Sequence, residues 1–425
     1  MRNRAMQRSI RGVKLPSLVL CVGLLGVWIP AGGQAQVNSG SNGSDGLFNP
    51  TSTNTVIDMA DHPTGIYQYT SVNIPSNVVV RFVPNANNAP VVWLVQGSCT
   101  IAGVVDVSGV SATNTTGARG GPGGFSGGSG GNTGGVGMGP GGGFPEGSMG
   151  ISASYGGLGT RPPCERSNLT NGVGPVYGNP FLLPLLGGSG GAGSTNWVTG
   201  GGGGAGAILI AVSGQIDLNG SIRAVGGAGS VQSYNAWPYT FQGGGGSGGG
   251  VRLVASRLAG TGTIDVSGGV GSWYYDNYYC GCSCTGRGGS GRVRLDVLAN
   301  TFGGNVVGVF SQGYQPIIIP AGGQVAQLWV TSVGGVGVAA PPTGNLAVPD
   351  AVVSAQQASP VPVVVTCANV PVGTAITVSV RPSIGPVVSA VGYNSTGTLA
   401  SSAATVMVNI PRGGGLIYAT AAAGN

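Results

Sequence analysis

The chain has 425 residues, of which 87 are glycine and only 7% are charged, with seventeen basic residues against eleven acidic ones. So much glycine with so little charge suits neither a charge-rich disordered chain nor an ordinary globular enzyme; it suits a repetitive extracellular scaffold. Beyond the first fifteen residues there is no cluster of lysine or arginine, so nucleic acid is excluded as the expected partner.

The chain opens with MRNRAMQRSIRGVK, continues through the apolar LPSLVLCVGLLGVWIP and reaches the small residues Gly33 and Ala35. A positive n-region, a short glycine-interrupted apolar stretch and a small-residue cleavage point predict a secretory signal peptide over residues 1–35. Arg2, Arg4, Arg8, Arg11 and Lys14 leave with it, so the mature chain holds twelve basic and eleven acidic residues, a net charge of +1. The expectation is export to the extracellular space or the cell surface, with no membrane span once the signal is removed. Six cysteines remain in an oxidising compartment, where disulfides form.

Residues 36–68 read as a lead-in. Beyond them, SGQIDLNGSIRAVGG (213–227), SRLAGTGTIDVSGG (256–269) and ANTFGGNVVGVF (299–310) align at steps of 42, and GSCTIAGVVDVSG (97–109) precedes the first by 117. Under this alignment Gly103, Gly220, Gly262 and Gly304 form one column. Val105, Ile222, Ile264 and Val306 form a second, and Val92, Leu209, Val251 and Val293 a third. Apolar and polar residues alternate within each copy and glycine turns bound them, which is strand periodicity. Short strands in a fixed register predict a β-solenoid over 69–330, parallel β-helix-like, in which stacking closes a core no single coil could close. The glycine column then marks a corner that needs either positive φ or close backbone approach.

Glycine-rich excursions leave the predicted coils at 110–206, 226–249 and 268–291. Without a strict G-X-Y period they are not collagen. Two readings stay open: a flexible linker, or extended threefold polyglycine-type helices packed side by side. From residue 341 the glycine content falls and runs such as VPVVVTCANV, AITVSV and ATVMVNI alternate between Pro/Gly turns, predicting a small Ig-like β-sandwich over 341–425. PIIIPAGGQVAQLWVTS (316–332) is expected to close the solenoid and lead into the sandwich. The fold class is therefore all-β.

The runs APVVWLVQGSCTIAGVVDVSG (89–109), GGPGGF (120–125), GPGGG (139–143) and GGGGGAGAILIAVSGQIDLNG (200–220) resemble glycine-rich, signal-bearing secreted bacterial proteins with a β-solenoid outline and adhesin-like character. More loosely, the polyglycine stretches are similar to the glycine-rich domains of phage tail adhesins. That resemblance implies receptor binding by loop tips and transfers no catalytic residue.

His62, the single histidine, stands in IDMADHPTG beside Asp58 and Asp61, so any serine- or cysteine-histidine mechanism would have to use it. The alternative is a polar turn before the first coil, and no nucleophile elbow favours catalysis. The aligned column Asp106, Arg223, Asp265, Val307 predicts an ion-pair ladder rather than an acid cluster. Glycine-rich dinucleotide and calcium-roll readings fail for want of a following helix and of regular acid spacing. No catalytic residue, metal or cofactor is assigned.

Cys99 aligns with Ile216 and Leu258 and reads as a small core residue, with a disulfide as the alternative. Cys164, Cys280, Cys282, Cys284 and Cys367 are disulfide candidates, with soft-metal binding by the 280–284 trio the competing reading. The aromatics gather in two loops one period apart. Tyr234, Trp237, Tyr239 and Phe241 lie in the first; Trp273, Tyr274, Tyr275, Tyr278 and Tyr279 lie in the second. They form either each loop's own mini-core or a binding surface for a glycan or a cell-surface protein. The expectation is a secreted structural or adhesin-like protein rather than an enzyme; the alternative is a β-helix polysaccharide lyase or glycoside hydrolase.

Overall fold

The computed structural model describes residues 37–131, 134–146, 149–160, 172–195, 199–233, 240–276, 282–313, 327–339, 349–382 and 386–421. For 233, 240–242, 272–276 and 282–285 it describes the backbone alone.

The protein is all-β, with a single 3-10 turn at Met59–Asp61 among the described residues. Two long parallel sheets dominate it. The first runs Gly46–Phe48, Ile66–Ile74, Val91–Val95, Ala207–Leu218, Gly250–Gly260, Arg292–Phe302 and Val309–Gly313, with Cys99–Ile101 continuing the third row. The second runs Asn54–Asp58, Val79–Val83, Val104–Asp106, Ser221–Arg223, Thr263–Asp265 and Asn305–Val307. Their inner faces share one apolar interior. Trp93, Ile210, Leu253 and Leu295 enter it from the first sheet, Val80, Val105, Ile222 and Ile264 from the second.

Register follows the sequence repeat closely. Ile222 pairs with both Val105 and Ile264, and Ile264 with Val306. Cys99 pairs with Ile216, and Ile216 with Leu258, all wholly buried. One expected column slips: Val251 pairs with Ile208, not Leu209, while Leu209 lies beside Arg252. The cause is a bulge at Ser213–Gly214, where two residues stand opposite Ser256 and return the offset from 43 to 42. Because side chains alternate faces, the slip puts Ile208 and Val251 inside and Leu209 and Arg252 on the outer face.

That outer face is covered as well. Val92, Leu94, Leu209, Ala211 and Val254 pack there under Val37 and Leu185, so the central strands are buried on both sides. This explains near-continuous apolar runs such as VVWLV and AILIAV.

The corner glycines answer to close approach rather than to φ. A Cβ on Gly220 would lie 1.9 Å from the Gly103 carbonyl oxygen, and one on Gly262 would lie 2.3 Å from that of Gly220. None of the four column glycines has positive φ. The 36–68 segment, expected to be a lead-in, already supplies strands Gly46–Phe48, Asn54–Asp58 and the start of Ile66–Ile74 to the two sheets.

The described parts of the glycine-rich excursions form an ordered array. Along 199–206 the N–H groups point in turn to three neighbours: Gly200 and Gly203 donate to Asn114 and Val110, Gly201 and Gly204 to Gly128 and Phe125, Gly202 and Ala205 to Gly244 and Ser247. The carbonyls accept from three others. Ala118 and Gly121 donate to Gly201 and Gly204, Gly191 and Gly188 to Gly202 and Ala205, Ser230 and Gly227 to Gly200 and Gly203. Each partner recurs every third residue, so the chain is an extended threefold helix with six neighbours and all bonds between chains. A Cβ on Gly201, Gly202 or Gly204 would lie 2.0 Å from a neighbouring carbonyl oxygen. Only glycine permits that spacing, and the linker reading is set aside for these residues.

Beyond the parallel sheets, two antiparallel sheets enclose a separate core. One contains Gln327–Val333, Val361–Ala368 and Ser402–Val408; the other contains Val388–Tyr393, Ala375–Pro382 and Gly415–Ala421. Val363, Val365, Ile376, Val378 and Val406 fill the space between them. Gln327–Val333, expected to close the solenoid and lead into the C-terminal part, pairs with Val361–Ala368 and so belongs to that part. Arg381 joins this part to the array: its Nη1 donates to the Gly142 carbonyl at 2.7 Å, and its guanidinium lies 3.6 Å from the centroid of Phe144.

Candidate functional site

The two aromatic loops leave the array as β-hairpins. Val231–Ser233 pairs antiparallel with Thr240–Gln242, and Val270–Asp276 with Cys282–Arg287. Strands Thr240–Gln242 and Val270–Asp276 pack side by side, because the glycine chains that carry them are neighbours in the array. This places the backbone positions of Phe241, Trp273, Tyr274 and Tyr275 on adjoining strands. Tyr234, Trp237, Tyr239, Tyr278 and Tyr279 lie outside the described residues.

In the second hairpin Cys282 stands opposite Asp276 and Cys284 opposite Tyr274. Cys164 and Cys280 lie outside the described residues. Cys367, expected among the disulfide partners, is a free buried thiol on the inner face of Val361–Ala368, and Cys99 is likewise free and buried. Both serve as small core residues. Burial pushes the Cys99 thiol up to about 12, with Asp217 adding to the shift.

His62 joins no constellation with a nucleophile among the described residues. Its Nε2 lies 3.5 Å from an Asp45 carboxylate oxygen, and its ring stacks on Tyr67 at 4.1 Å. Asp58 caps the 3-10 turn by accepting from Ala60 N–H at 3.0 Å. The stack continues from Tyr67 through Tyr69 to Phe48, with Trp93 edge-on, so these rings fill the interior beside the first strands. Burial, then Asp45, Asp58 and Asp61, push the Tyr67 hydroxyl up to about 12.

The charged column keeps its predicted register and gains a member: Arg81 pairs with Asp106, Asp106 with Arg223, and Arg223 with Asp265. Only the new member brings opposite charges within ion-pair distance among the described residues; Arg223 reaches neither carboxylate. Arg81 approaches Asp106 at 3.8 Å on an open face, where such a contact contributes about 0–1 kcal/mol.

A second charged group escaped sequence reading. Asp296, wholly buried on the covered face of the first sheet, accepts from Arg252 Nε at 3.0 Å and from Arg294 Nε at 2.8 Å. Desolvation lowers the Arg252 pKa against the opposing pull of Asp296. Its signal was present: Arg252 and Arg294 are 42 residues apart in GVRLV and RVRLD.

A concavity of about 1600 Å³ lies between the array and the antiparallel sheets. Arg119, Phe125 and Tyr177 line one wall; Trp329, Arg412 and Tyr418 line the other. Asp350 is the sole acid among the described lining residues, so the groove does not gather the acids, arginine and His62 that a lyase reading would bring together. No sequence signal marks it, because its walls come from segments far apart in the chain. Among the described residues no helix is long and apolar enough to cross a membrane, and no group of three or more His, Cys, Asp or Glu side chains could hold a metal ion.

Comparison with protein-family models, curated proteins and solved structures finds no match to this chain.

Proposed function

We propose that this is a secreted or cell-surface protein of structural, adhesin-like function. In this reading a β-solenoid carries a polyglycine array, an Ig-like sandwich follows it, and the hairpin tips bind a glycan or a surface protein. The observation that carries the reading is the side-by-side packing of the two hairpins that bear the aromatic residues. Array residues such as Gly201, Gly202 and Gly204 are committed to backbone contact, so the array supplies rigidity and leaves recognition to the tips. Aromatic side chains give large contact area at low entropic cost, and a rigid base reduces the ordering needed on binding.

The test is a glycan and cell-surface binding panel with the purified mature chain, beside a variant whose 230–245 and 272–284 segments are Gly/Ser. Binding by the parent and loss by the variant is the expected result. Equal binding by both, or none by either, overturns the reading.

A further inference from the structure

The groove between the array and the antiparallel sheets has a chemistry of its own. At about 1600 Å³ it exceeds the roughly 300–1,000 Å³ typical of small-molecule pockets, which suits a polymer crossing it rather than a compact ligand. Its lining includes aromatic residues from both sides, Phe125 and Tyr177 on one, Trp329 and Tyr418 on the other. Trp329 remains 38% exposed although it lines the groove. Two exposed arginines complete it. Arg119 is anchored by donation from Nη2 to the Pro84 carbonyl at 2.9 Å, and neither Arg119 nor Arg412 has a carboxylate partner among the described residues. With Asp350 as the single acid of the lining, the groove is net positive in a chain that is otherwise poor in charge.

We propose that this groove binds an acidic polysaccharide, a polymer whose repeating sugars carry carboxylates. The apolar faces of sugar rings fit the aromatic side chains, and the carboxylates fit guanidinium groups through paired N–H donation. An acidic peptide would satisfy the arginines and leave the rings without matching faces; a neutral polysaccharide would do the reverse. The groove keeps its shape through the Arg381 contact with Gly142 and Phe144, which ties one wall to the other. None of the described hairpin residues lines the groove, so its occupancy can be tested apart from the tips.

The experiment uses the full mature chain with three probes: polygalacturonate, dextran and poly-L-glutamate. Polygalacturonate is expected to bind, with at least about tenfold weakening in the Arg119→Ala/Arg412→Ala double variant, similar weakening in Trp329→Ala, and further weakening as salt rises. Both arginines are exposed, and unchanged thermal unfolding of the double variant confirms that its loss is local. Dextran and poly-L-glutamate are expected to bind at least about tenfold more weakly than polygalacturonate. The variant with Gly/Ser tips is expected to bind polygalacturonate as the parent does, whatever the glycan panel shows. No binding by the parent, undiminished binding by the groove variants, equal binding of either other probe, or loss on tip replacement each overturns the proposal.

Discussion

Asp296 holds Arg252 by a 3.0 Å hydrogen bond on the buried outer face of the first parallel sheet, and Arg294 shares the same carboxylate. Two cations and one anion are therefore withdrawn from water together. Removing the anion leaves both guanidinium groups buried without compensation, so Asp296→Asn is expected to cost about 3–5 kcal/mol. Urea unfolding measures this. A loss below about 1 kcal/mol would show that the arginines regain solvent at little cost.

The array makes a sharper steric prediction. A Cβ on Gly202 would lie 2.0 Å from the Gly227 carbonyl oxygen, and every atom it would meet first is backbone, with no flexible side chain to yield. Gly202→Ala should destabilise by about 3 kcal/mol, the upper end of overpacking costs. Gly303→Ala is the control, since a Cβ there meets nothing within 4 Å and φ is not positive. Its stability should stay within about 0.5 kcal/mol of the parent. Equal effects at the two positions would contradict the packed array.

Register was legible in the sequence wherever apolar residues alternate with polar ones, as at Val105, Ile222 and Ile264. It failed at Leu209, because AILIAV is apolar on both faces and carries no polar residue of its own to fix parity. The extra residue at Ser213–Gly214 was hidden for the same reason. The array was legible only as composition: threefold order depends on six chain segments meeting around 199–206, and no local pattern announces that. The groove was not legible at all, since Trp329 and Arg119 come to share it only after two distant parts dock.

The buried thiol of Cys99 gives a pH signature. Its folded pKa is raised from 9 to about 12 by burial, so above pH 9 the unfolded chain releases a proton that the folded chain keeps. The stabilising contribution is complete below pH 9 and is lost progressively toward pH 12. Tyr67, raised from 10 to about 12, adds loss over the upper part of the same window. Cys99→Ala should therefore show a shallower fall of the urea midpoint between pH 9 and 12 than the parent. Parallel curves would remove Cys99 as a source of that slope.

Both free thiols should also be chemically silent in the folded protein. Cys99 and Cys367 are wholly buried, and burial raises both pKa values, which suppresses the reactive thiolate. Alkylation mapped by peptide mass is expected at neither residue under native conditions and at both after unfolding. Native labelling of Cys367 would place that strand at the surface.

Arg381 links the array to the antiparallel sheets with no carboxylate partner among the described residues. Burial lowers its pKa to about 10, and its cation is met by the Phe144 ring and the Gly142 carbonyl. Lysine keeps the charge but loses the planar face and the fork of donors, so Arg381→Lys should weaken the contact nearly as much as Arg381→Leu. The antiparallel core itself, filled by residues such as Val363 and Ile376, is left intact by either change. Hydrogen exchange should therefore quicken in both variants around residues 141–144 while protection within Val361–Ala368 persists. Unchanged exchange at 141–144 would mean that other contacts hold the two parts together, and full parent-like behaviour of Arg381→Lys would mean that charge alone is sufficient.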